Sequence, residues 1–290
     1  MPERIGLIGL GLVGCALARR LLASGHAALG FDLSPEACEK AAETGATIAG
    51  SAPEVASEAS TLLFSLPDSD VVTRLLWEEG LAEALQPGAL VVDTTTGRPA
   101  DATSNAQRLA KLGLRYVDAT LSGSSEEIAQ GVATALVGAP EPEPELLSLL
   151  EPFARQVFFL GQPGAGCLAK LLVNHVMGLN RAALAEGLAL GLAAGLDGTE
   201  LLEVLRGSAA NSRALELKGR RMVEADFSPA SRIAQHAKDV ALILELARSL
   251  GARVPLEEIH SALLAEALSA GLADLDNAAL IKVFQPERRD

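Results

Sequence analysis

Residues 4–18 read RIGLIGLGLVGCALA, and this stretch has two interpretations that exclude each other. In the first, the positive charge of Arg4, an apolar run and the sequence LVGC ending at Cys15 form an export signal with a lipidation site. In the second, a short strand enters a turn with glycines at positions 9, 11 and 14 and continues as a helix. The residues that follow decide between the two.

Downstream of this stretch, the sequence completes a strand–helix–strand unit. A strand-like run at 4–8 precedes a stretch of helical period at 12–23, which Gly25 closes. The next apolar run, AALGFD, ends in Asp32, 18 residues after Gly14. Cleavage before Cys15 would delete the first strand of this unit, so we reject the export interpretation.

The three glycines of the turn each have a physical role in holding a dinucleotide. Gly9 permits the tight turn, Gly11 lets a pyrophosphate approach the backbone, and Gly14 allows the helix to pack closely on the strand. The unpaired N–H groups and the positive dipole end of the helix attract the phosphates. The predicted cofactor-binding turn therefore comprises Gly9, Leu10, Gly11, Leu12, Val13 and Gly14.

Asp32 lies at the position that selects the dinucleotide. A carboxylate there accepts hydrogen bonds from the adenosine ribose hydroxyls and repels a 2′-phosphate, which favours NAD over NADP. The alternative is that Asp32 only caps the next helix, near Ser34 and Pro35.

Two regions with different hydrophobic patterns divide the chain. Up to about residue 160, strand-length apolar runs alternate with helix-period segments, a pattern that predicts a doubly wound α/β domain with a parallel sheet. After residue 163 nearly everything has helical period, so we place domains at 1–163 and 164–290, the second all-α. The segment 165–194 is apolar almost all round and predicts a long interdomain helix that a second subunit covers; the alternative is burial within one chain.

Composition restricts the partners. Of the 290 residues 37 are acidic and 24 basic, and the formal charge of −13 argues against nucleic acid or an anionic membrane as a partner. Three scattered cysteines without metal-ligand spacing indicate neither disulfides nor a metal site, and fit a cytoplasmic protein. No apolar run is long and uninterrupted enough to predict a membrane span.

Three polar stretches are candidates for chemistry, and each has a simpler alternative. Asp93 and the threonines 94–96 follow a predicted strand, where they could instead form a turn and helix cap. Ser122, Gly123 and Ser124 could offer N–H groups and hydroxyls to an anion, or form a plain loop. Lys170 and Asn174 lie one helical turn apart at the start of the long apolar helix, where Lys170 could be catalytic or could extend its ammonium to solvent.

Taken together, seven stretches in order resemble the β-hydroxyacid dehydrogenase family over essentially the whole chain. They are GLIGLGLVG at 6–14, SLP at 65–67, DTTTGRP at 93–99, DATLSGS at 118–124, GAGCLAKLLVN at 164–174, HAKD at 236–239 and DLDNAALI at 274–281. The resemblance implies a Rossmann-like domain followed by an all-α domain, assembled as a homodimer or homotetramer. It also implies hydride transfer between a nicotinamide cofactor and a small anionic 3-hydroxy acid or its semialdehyde, of the 3-hydroxyisobutyrate dehydrogenase type.

The resemblance assigns roles by position. Lys170 would be the general acid or base, and Asn174 would orient the substrate hydroxyl and Lys170. The substrate carboxylate would be held by Ser122, Gly123 and Ser124. The remaining cofactor contacts would be Leu66, Pro67 and Thr96 at the nicotinamide half and Lys238 from the helical domain.

Two departures from the family pattern bear on the substrate. Ser124 stands where members usually have glycine, which leaves the substrate's size and acid group open. Met177 stands where an enzyme acting on 6-phosphogluconate would have glutamate, which argues against that substrate. An imine reductase of the same fold and a non-catalytic dinucleotide sensor are the alternatives. Imine reductases usually carry another residue at the position of Lys170, and a sensor would not need Lys170, Asn174 and the Ser122 loop together.

Overall fold

A computed structural model describes residues 4–285 of the chain, which divides into two compact units, Met1–Lys170 and Leu171–Asp290. The division predicted at residue 163 stays a prediction. Among the described residues of the first unit, eight strands form one sheet: Arg4–Ile8 (β1), Ala27–Phe31 (β2), Thr47–Ile48 (β3), Thr61–Phe64 (β4), Leu90–Asp93 (β5), Arg115–Ser122 (β6), Ala133–Val137 (β7) and Ala154–Phe159 (β8).

The order of the strands is that of a doubly wound sheet. It runs β3-β2-β1-β4-β5-β6-β7-β8, so the chain moves outward from β1 first on one side and then on the other. Ligands of such sheets bind beyond the carboxyl ends of the strands at the point where the order reverses, which here lies between β1 and β4. The predicted α/β class is confirmed.

One strand pair departs from the predicted parallel sheet. β6 pairs with β7 in antiparallel orientation, whereas the other pairs among the described strands are parallel. The reason lies in the connection, because only ten residues separate Ser122 from Ala133 and a parallel crossover needs about a dozen or more. β6 therefore pairs in both directions: residues 115–118 bind β5, and residues 119–122 bind β7.

Helices cover both faces of this sheet. They are Leu12–Ala23 (α1), Pro35–Glu43 (α2), Ala52–Glu58 (α3), Ser69–Trp77 (α4), Leu81–Ala84 (α5), Pro99–Ala110 (α6), Ser125–Ala129 (α7) and Pro144–Leu150 (α8). Successive strand residues alternate between two apolar cores, as Leu7 and Leu63 enter one while Ile8 and Phe64 enter the other. Burial on both faces explains why these strands are continuous apolar runs.

A long helix, Ala165–Ala193 (α9), begins in the first unit and continues into the second. The second unit adds helices and one isolated β-bridge. Its further helices are Gly198–Arg206 (α10), Arg213–Val223 (α11), Ile233–Leu250 (α12), Pro255–Ser269 (α13), a 3-10 turn at Asn277–Leu280, and Ile281–Phe284 (α14). Among residues 4–285, no helix is both long and apolar enough to cross a membrane.

The long helix is less covered by its own chain than its composition predicts. Leu172, Val176 and Leu190 are 54%, 57% and 72% exposed, and they recur on one side of α9. Buried side chains such as Leu188 occupy the opposite side. The helix is therefore apolar all round while only part of its surface is buried within the chain.

Candidate active site

The glycine turn between β1 and α1 shows which glycines the fold itself requires. Gly9 has a φ of +92°, and a methyl group on it would lie 2.2 Å from the Ser65 carbonyl oxygen. A methyl group on Gly14 would lie 2.0 Å from the Gly9 carbonyl oxygen. A methyl group on Gly11 would meet no atom of residues 4–285 within 4 Å, so nothing in that part of the chain demands glycine there.

This open space and the start of α1 fit a pyrophosphate. Gly11 is the N-cap of α1 and offers no side-chain cap, and the first turn carries no acidic residue. The N–H groups of that turn are therefore presented at an end of the helix where an anion is stabilised. Leu12 beside it is half exposed.

Asp32 joins the glycine turn to the end of β2. Its Oδ2 accepts a hydrogen bond from the Leu10 N–H at 2.6 Å, and its Oδ1 accepts one from Ser34 N–H at 2.8 Å. The N-cap of α2 is Ser34, whose hydroxyl accepts the Ala37 N–H, so the cap of that helix is not Asp32. The next residue, Leu33, is exposed and apolar and offers no cation to a 2′-phosphate.

The loops after β4 and β5 hold the residues predicted to line the nicotinamide half of the site. Leu66 is half-buried and donates its N–H to the Thr95 hydroxyl at 3.2 Å, which joins the two loops. Pro67 is exposed, and Thr96 is half-buried. The predicted residues thus lie on two loops of the first unit that the Leu66–Thr95 hydrogen bond joins.

Asp93, at the end of β5, is a structural residue. Its carboxylate accepts hydrogen bonds from the Thr95 N–H at 2.9 Å and the Tyr116 hydroxyl at 2.6 Å. Burial raises the pKa of Asp93 to about 6, although both hydrogen bonds oppose the rise. This carboxyl group organises the turn that carries Thr95 and Thr96.

Sequence reasoning missed Asp118, which fixes the start of α9. Its carboxylate accepts the N–H groups of Gly164 at 2.8 Å and Cys167 at 2.9 Å, while the Thr120 hydroxyl donates to the Gly166 carbonyl. Burial raises the pKa of Asp118, and these N–H groups oppose that rise. The available signal was an aspartate in the strand-like run LRYVDA, like Asp93 in ALVVDT. The structure pairs these two residues in the sheet.

The anchored turn of α9 leads to Lys170. This lysine follows Cys167 by three residues and is only 9% exposed. The strand that anchors the helix, β6, ends at Ser122. One strand therefore carries both the support of the Lys170 helix and the first residue of the predicted anion loop.

The predicted anion loop is partly engaged by its own chain. Ser124 is the N-cap of α7 and forms a capping box: its hydroxyl accepts the Glu127 N–H, and Glu127 Oε2 accepts the Ser124 N–H at 2.9 Å. Gly123 has a φ of +154°, a conformation that favours glycine. Sequence reasoning assigned no role to Glu127. The signal was present, because a serine followed three residues later by glutamate is the signature of a capping box.

In the second unit, Asn174 is held by a carboxylate. It is 3% exposed, and its Nδ2 donates to Asp239 Oδ2 at 2.9 Å. Lys238 Nζ lies 3.2 Å from the other oxygen of Asp239. Asp239 falls in the HAKD stretch, but the sequence analysis assigned only its lysine. Within residues 4–285, no cluster of three His, Cys, Asp or Glu side chains could hold a metal ion.

Family models match both parts of the chain. Residues 4–161 match the NAD binding domain of 6-phosphogluconate dehydrogenase, and residues 164–284 match the NAD-binding domain of NADP-dependent 3-hydroxyisobutyrate dehydrogenase. Both describe domains that bind a nicotinamide dinucleotide. The first model alone covers more than half of the sequence.

Individual proteins are similar over nearly their full length. L-threonate dehydrogenase of Cupriavidus necator is 32% identical over 98% of this chain and 97% of its own. The NAD-dependent L-serine dehydrogenase of Pseudomonas aeruginosa is 32% identical over 98% of both chains. The crystal structure of 3-hydroxyisobutyrate dehydrogenase from Salmonella typhimurium has a TM-score of 0.88 at 31% identity, covering 97% of this chain and 100% of that one.

Imine reductases share the fold at a greater distance. The enzyme from a Pseudomonas species is 22% identical with a TM-score of 0.63, a likeness that concerns the fold alone. With two family models, relatives above 30% identity and the motifs from GLIGLGLVG to DLDNAALI all in agreement, the chain belongs to the β-hydroxyacid dehydrogenase family.

Proposed function

We propose that this protein is a nicotinamide-dependent oxidoreductase that interconverts a small 3-hydroxy acid and its semialdehyde. The observation that carries the proposal is the buried Lys170, on a helix whose first turn is bound by β6. So little exposure of a lysine, one turn before Asn174 and in a chain with dinucleotide-binding domains, supports a role in proton transfer. A dinucleotide sensor would have no use for this arrangement.

Lys170 is the general acid and base. In oxidation its amine takes the proton from the substrate hydroxyl, and in reduction its ammonium returns a proton to the same oxygen. The bound nicotinamide supplies the hydride chemistry at the adjacent carbon. Asn174 orients the substrate hydroxyl and Lys170, and Asp239 holds the Asn174 carboxamide in turn.

Ser122, Gly123 and Ser124 hold the substrate carboxylate. Their contributions are unequal, since the Ser124 N–H already donates to Glu127. We assign the main contacts with the substrate carboxylate to Ser122 and Gly123. Ser124 contributes its N–H only when the hydrogen bond to Glu127 is broken. The glycine usual at position 124 in the family has no hydroxyl with which to form this capping box.

The cofactor is NAD in preference to NADP. The turn Gly9, Leu10, Gly11, Leu12, Val13 and Gly14 holds the pyrophosphate, and Asp32 holds the adenosine ribose. Leu66, Pro67 and Thr96 line the nicotinamide half, and Lys238 contacts the dinucleotide. Support for NAD comes from the Asp32 carboxylate followed by apolar Leu33, where a 2′-phosphate would require a cation.

The active form is a homodimer or homotetramer. The exposed apolar side of α9, formed by Leu172, Val176 and Leu190, supports this because large apolar side chains recurring along one helix face are typical of an interface. A domain division at residue 163 and a cytoplasmic location remain predictions from the sequence.

A substrate panel tests the proposed reaction. Purified protein is assayed with small hydroxy acids and NAD or NADP, with the matching semialdehydes and NADH or NADPH, and with imines. Turnover of a hydroxy acid or semialdehyde, with NAD preferred, is the expected result. Turnover of imines alone would favour the imine reductase, and binding without any turnover would favour the sensor.

Two substitutions test the assigned residues. Lys170→Ala is expected to lower kcat by about 100-fold or more, the low end for a positioned acid or base, while NAD binding persists. Lys111→Ala, at an exposed lysine, is the matched control. Asp32→Asn is expected to narrow the preference for NAD over NADP, and a preference for NADPH in the unaltered protein would overturn the assignment of Asp32.

A further inference from the structure

The strand β6 carries polar side chains at alternate positions of its second half. Because successive residues of a strand point to opposite faces, Asp118, Thr120 and Ser122 lie on the same face. The alternate residues of the strand enter an apolar core on the opposite side of the sheet, namely Val117, Ala119 and Leu121. Cys167 of α9 belongs to the other core, so the helix begins on the polar side of β6.

One peptide group in the first turn of α9 is bound at both ends by this face. Its N–H, from Cys167, donates to Asp118, and its carbonyl oxygen, from Gly166, accepts the Thr120 hydroxyl at 3.0 Å. In an α-helix the N–H groups point toward the start and the carbonyl groups toward the end. Because Thr120 follows Asp118 along the strand, β6 and α9 advance in the same direction from this peptide group.

The backbones of the helix and the sheet are in close contact at the same place. A methyl group on Gly166 would lie 2.4 Å from the Leu136 carbonyl oxygen and 2.8 Å from that of Asp118. A methyl group on Gly138 would lie 2.0 Å from Asp118 Oδ1. Asp118 and Thr120 are both fully buried. The first turn of α9 therefore has little room to shift along β6 while these contacts persist.

Lys170 lies one helical turn beyond the bound peptide group. It follows Gly166 by four residues, so both are on one face of α9, and the Gly166 carbonyl is the helical acceptor of the Lys170 N–H. Thr120 thus binds the same carbonyl group as the backbone of Lys170. The step from Gly166 to Lys170 advances about 6 Å along the helix, and the step from Thr120 to Ser122 advances about 7 Å along the strand. These similar advances bring Lys170 and Ser122 to the same level.

We propose that Asp118 and Thr120 are positioning residues that set the distance between Lys170 and Ser122, and with it the length of the hydroxy acid that reacts. The inference rests on the proposed function, in which Ser122 binds the substrate carboxylate and Lys170 exchanges the hydroxyl proton. A fixed distance between these two groups selects acids whose hydroxyl is a fixed number of carbon atoms from the carboxylate. A 3-hydroxy acid meets both groups, whereas one methylene more or less displaces the hydroxyl from Lys170.

Hydroxy acids of increasing length test the proposal. With NAD as cofactor, kcat/KM is measured for acids that carry the hydroxyl on carbon 2, 3 or 4, namely lactate, 3-hydroxypropionate and 4-hydroxybutyrate. The unaltered protein should prefer 3-hydroxypropionate by about 10-fold or more, since one methylene is worth that much in a fitted site. Thr120→Val keeps the shape of the side chain but removes the hydroxyl. It should reduce the length preference by about 5-fold, the effect of one lost hydrogen bond.

Two variants control for effects other than the loss of this hydroxyl. Thr120→Ser keeps a hydroxyl that can donate to the Gly166 carbonyl, so it should retain the length preference of the unaltered protein. Thr61→Val makes the same chemical change at a buried threonine of β4. It should leave the preference unaltered. An equal loss of preference in Thr120→Ser and Thr120→Val would overturn the proposal, because it would indicate packing and not the hydrogen bond.

Asp118→Asn provides a second arm that does not depend on Thr120→Val folding. The asparagine side chain accepts through one oxygen only, so one of the N–H groups of Gly164 and Cys167 loses its acceptor. We expect kcat to fall by about 10-fold or more with a smaller change in KM, because Lys170 is displaced. The length preference should narrow as well, and an unchanged preference in both Asp118→Asn and Thr120→Val would overturn the proposal.

A binding measurement without turnover separates this inference from the proposed function. A hydroxy acid cannot be oxidised when NADH is bound, so calorimetry then measures the affinity for 3-hydroxypropionate and 4-hydroxybutyrate alone. The unaltered protein should bind 3-hydroxypropionate more tightly, and Thr120→Val should narrow the difference. Equal affinities in the unaltered protein would overturn the inference even if the protein reduces semialdehydes. A substrate panel without turnover would overturn the proposed function even if binding depends on the length of the acid.

Discussion

The glycine turn of the first unit and the Lys218–Asp276 pair of the second are built on different principles. In the turn, backbone atoms make the site, and Gly9 and Gly14 are required because other backbone atoms lie where a side chain would start. In the pair, side chains from distant parts of the unit make the contact, since both oxygens of buried Asp276 accept hydrogen bonds from Lys218 Nζ on α11 at 2.8 Å. Backbone sites therefore leave a fixed spacing in the sequence, whereas side-chain clusters depend on how helices pack.

The sharpest test of the backbone principle compares two glycines of the turn. Gly14→Ala places a methyl group 2.0 Å from the Gly9 carbonyl, so we expect it to abolish dinucleotide binding and to cost about 4 kcal/mol or more of stability. In Gly11→Ala the added methyl group meets no atom of the described residues within 4 Å, so this variant should fold normally and lose dinucleotide affinity alone. Thermal unfolding and NAD titration of both variants check this, and equal unfolding temperatures would contradict it.

The contribution of a buried side-chain pair to stability is tested at Asp276 in the second unit. Although burial raises it, Lys218 and backbone N–H groups together hold the pKa of this carboxyl below its ordinary value. Asp276→Asn leaves the Lys218 ammonium without its charge partner, so we expect a loss of about 3–5 kcal/mol in the free energy of unfolding. Asp274→Asn, two residues away and exposed, is the matched control and should change little. Similar urea midpoints for both variants would show that the Lys218 pair adds little.

A smaller effect, dependent on pH, is expected at Asp93 in the first unit. Its folded pKa of about 6 lies above the ordinary 3.8, so the folded protein retains a proton that the unfolded chain releases between these values. The free energy of unfolding should therefore fall as pH rises from about 4 to 6, and the full contribution of this group is about 3 kcal/mol. Asp93→Asn should flatten that slope.

Urea denaturation at several pH values measures the slope. Asp274→Asn again serves as the control, and it should keep the slope of the unaltered protein. An unchanged slope in Asp93→Asn would assign the pH dependence to other groups. Such a result would mean that the ionisation of Asp93 contributes little to the free energy of unfolding.

What could be predicted from the sequence follows the same division. Apolar runs of strand length and the glycine spacing predict the α/β sheet and the turn, because both depend on local periodicity and backbone geometry. The antiparallel pairing of β7 with β6 was missed, although the ten-residue connection was visible in the sequence. Connection length decides strand direction there, and strand pattern alone does not report it.

The candidate site was predicted only in part, because contacts between distant elements leave no local pattern in the sequence. Lys170 and Asn174 are recognisable because they lie one turn apart on an apolar helix. Asp118 on β6 and Asp239 on α12 both contact α9 from other elements, so no sequence spacing links them to their partners. Glu127 was recognisable from its spacing to Ser124, yet its carboxylate accepts the N–H of Ser124, a residue that the family resemblance assigns to the substrate. A motif match transfers a role to a position without reporting what that position already binds.

The strand β6 has a consequence for engineering of the first unit. Because its first half completes the parallel sheet and its second half begins the antiparallel extension, neither part of the sheet can be cut away without exposing an unpaired edge of the other. Asp118 sits at the junction of the two halves and binds the start of α9. A chimaera that exchanges only the parallel part of the sheet would therefore have to carry β6 and the start of α9 along.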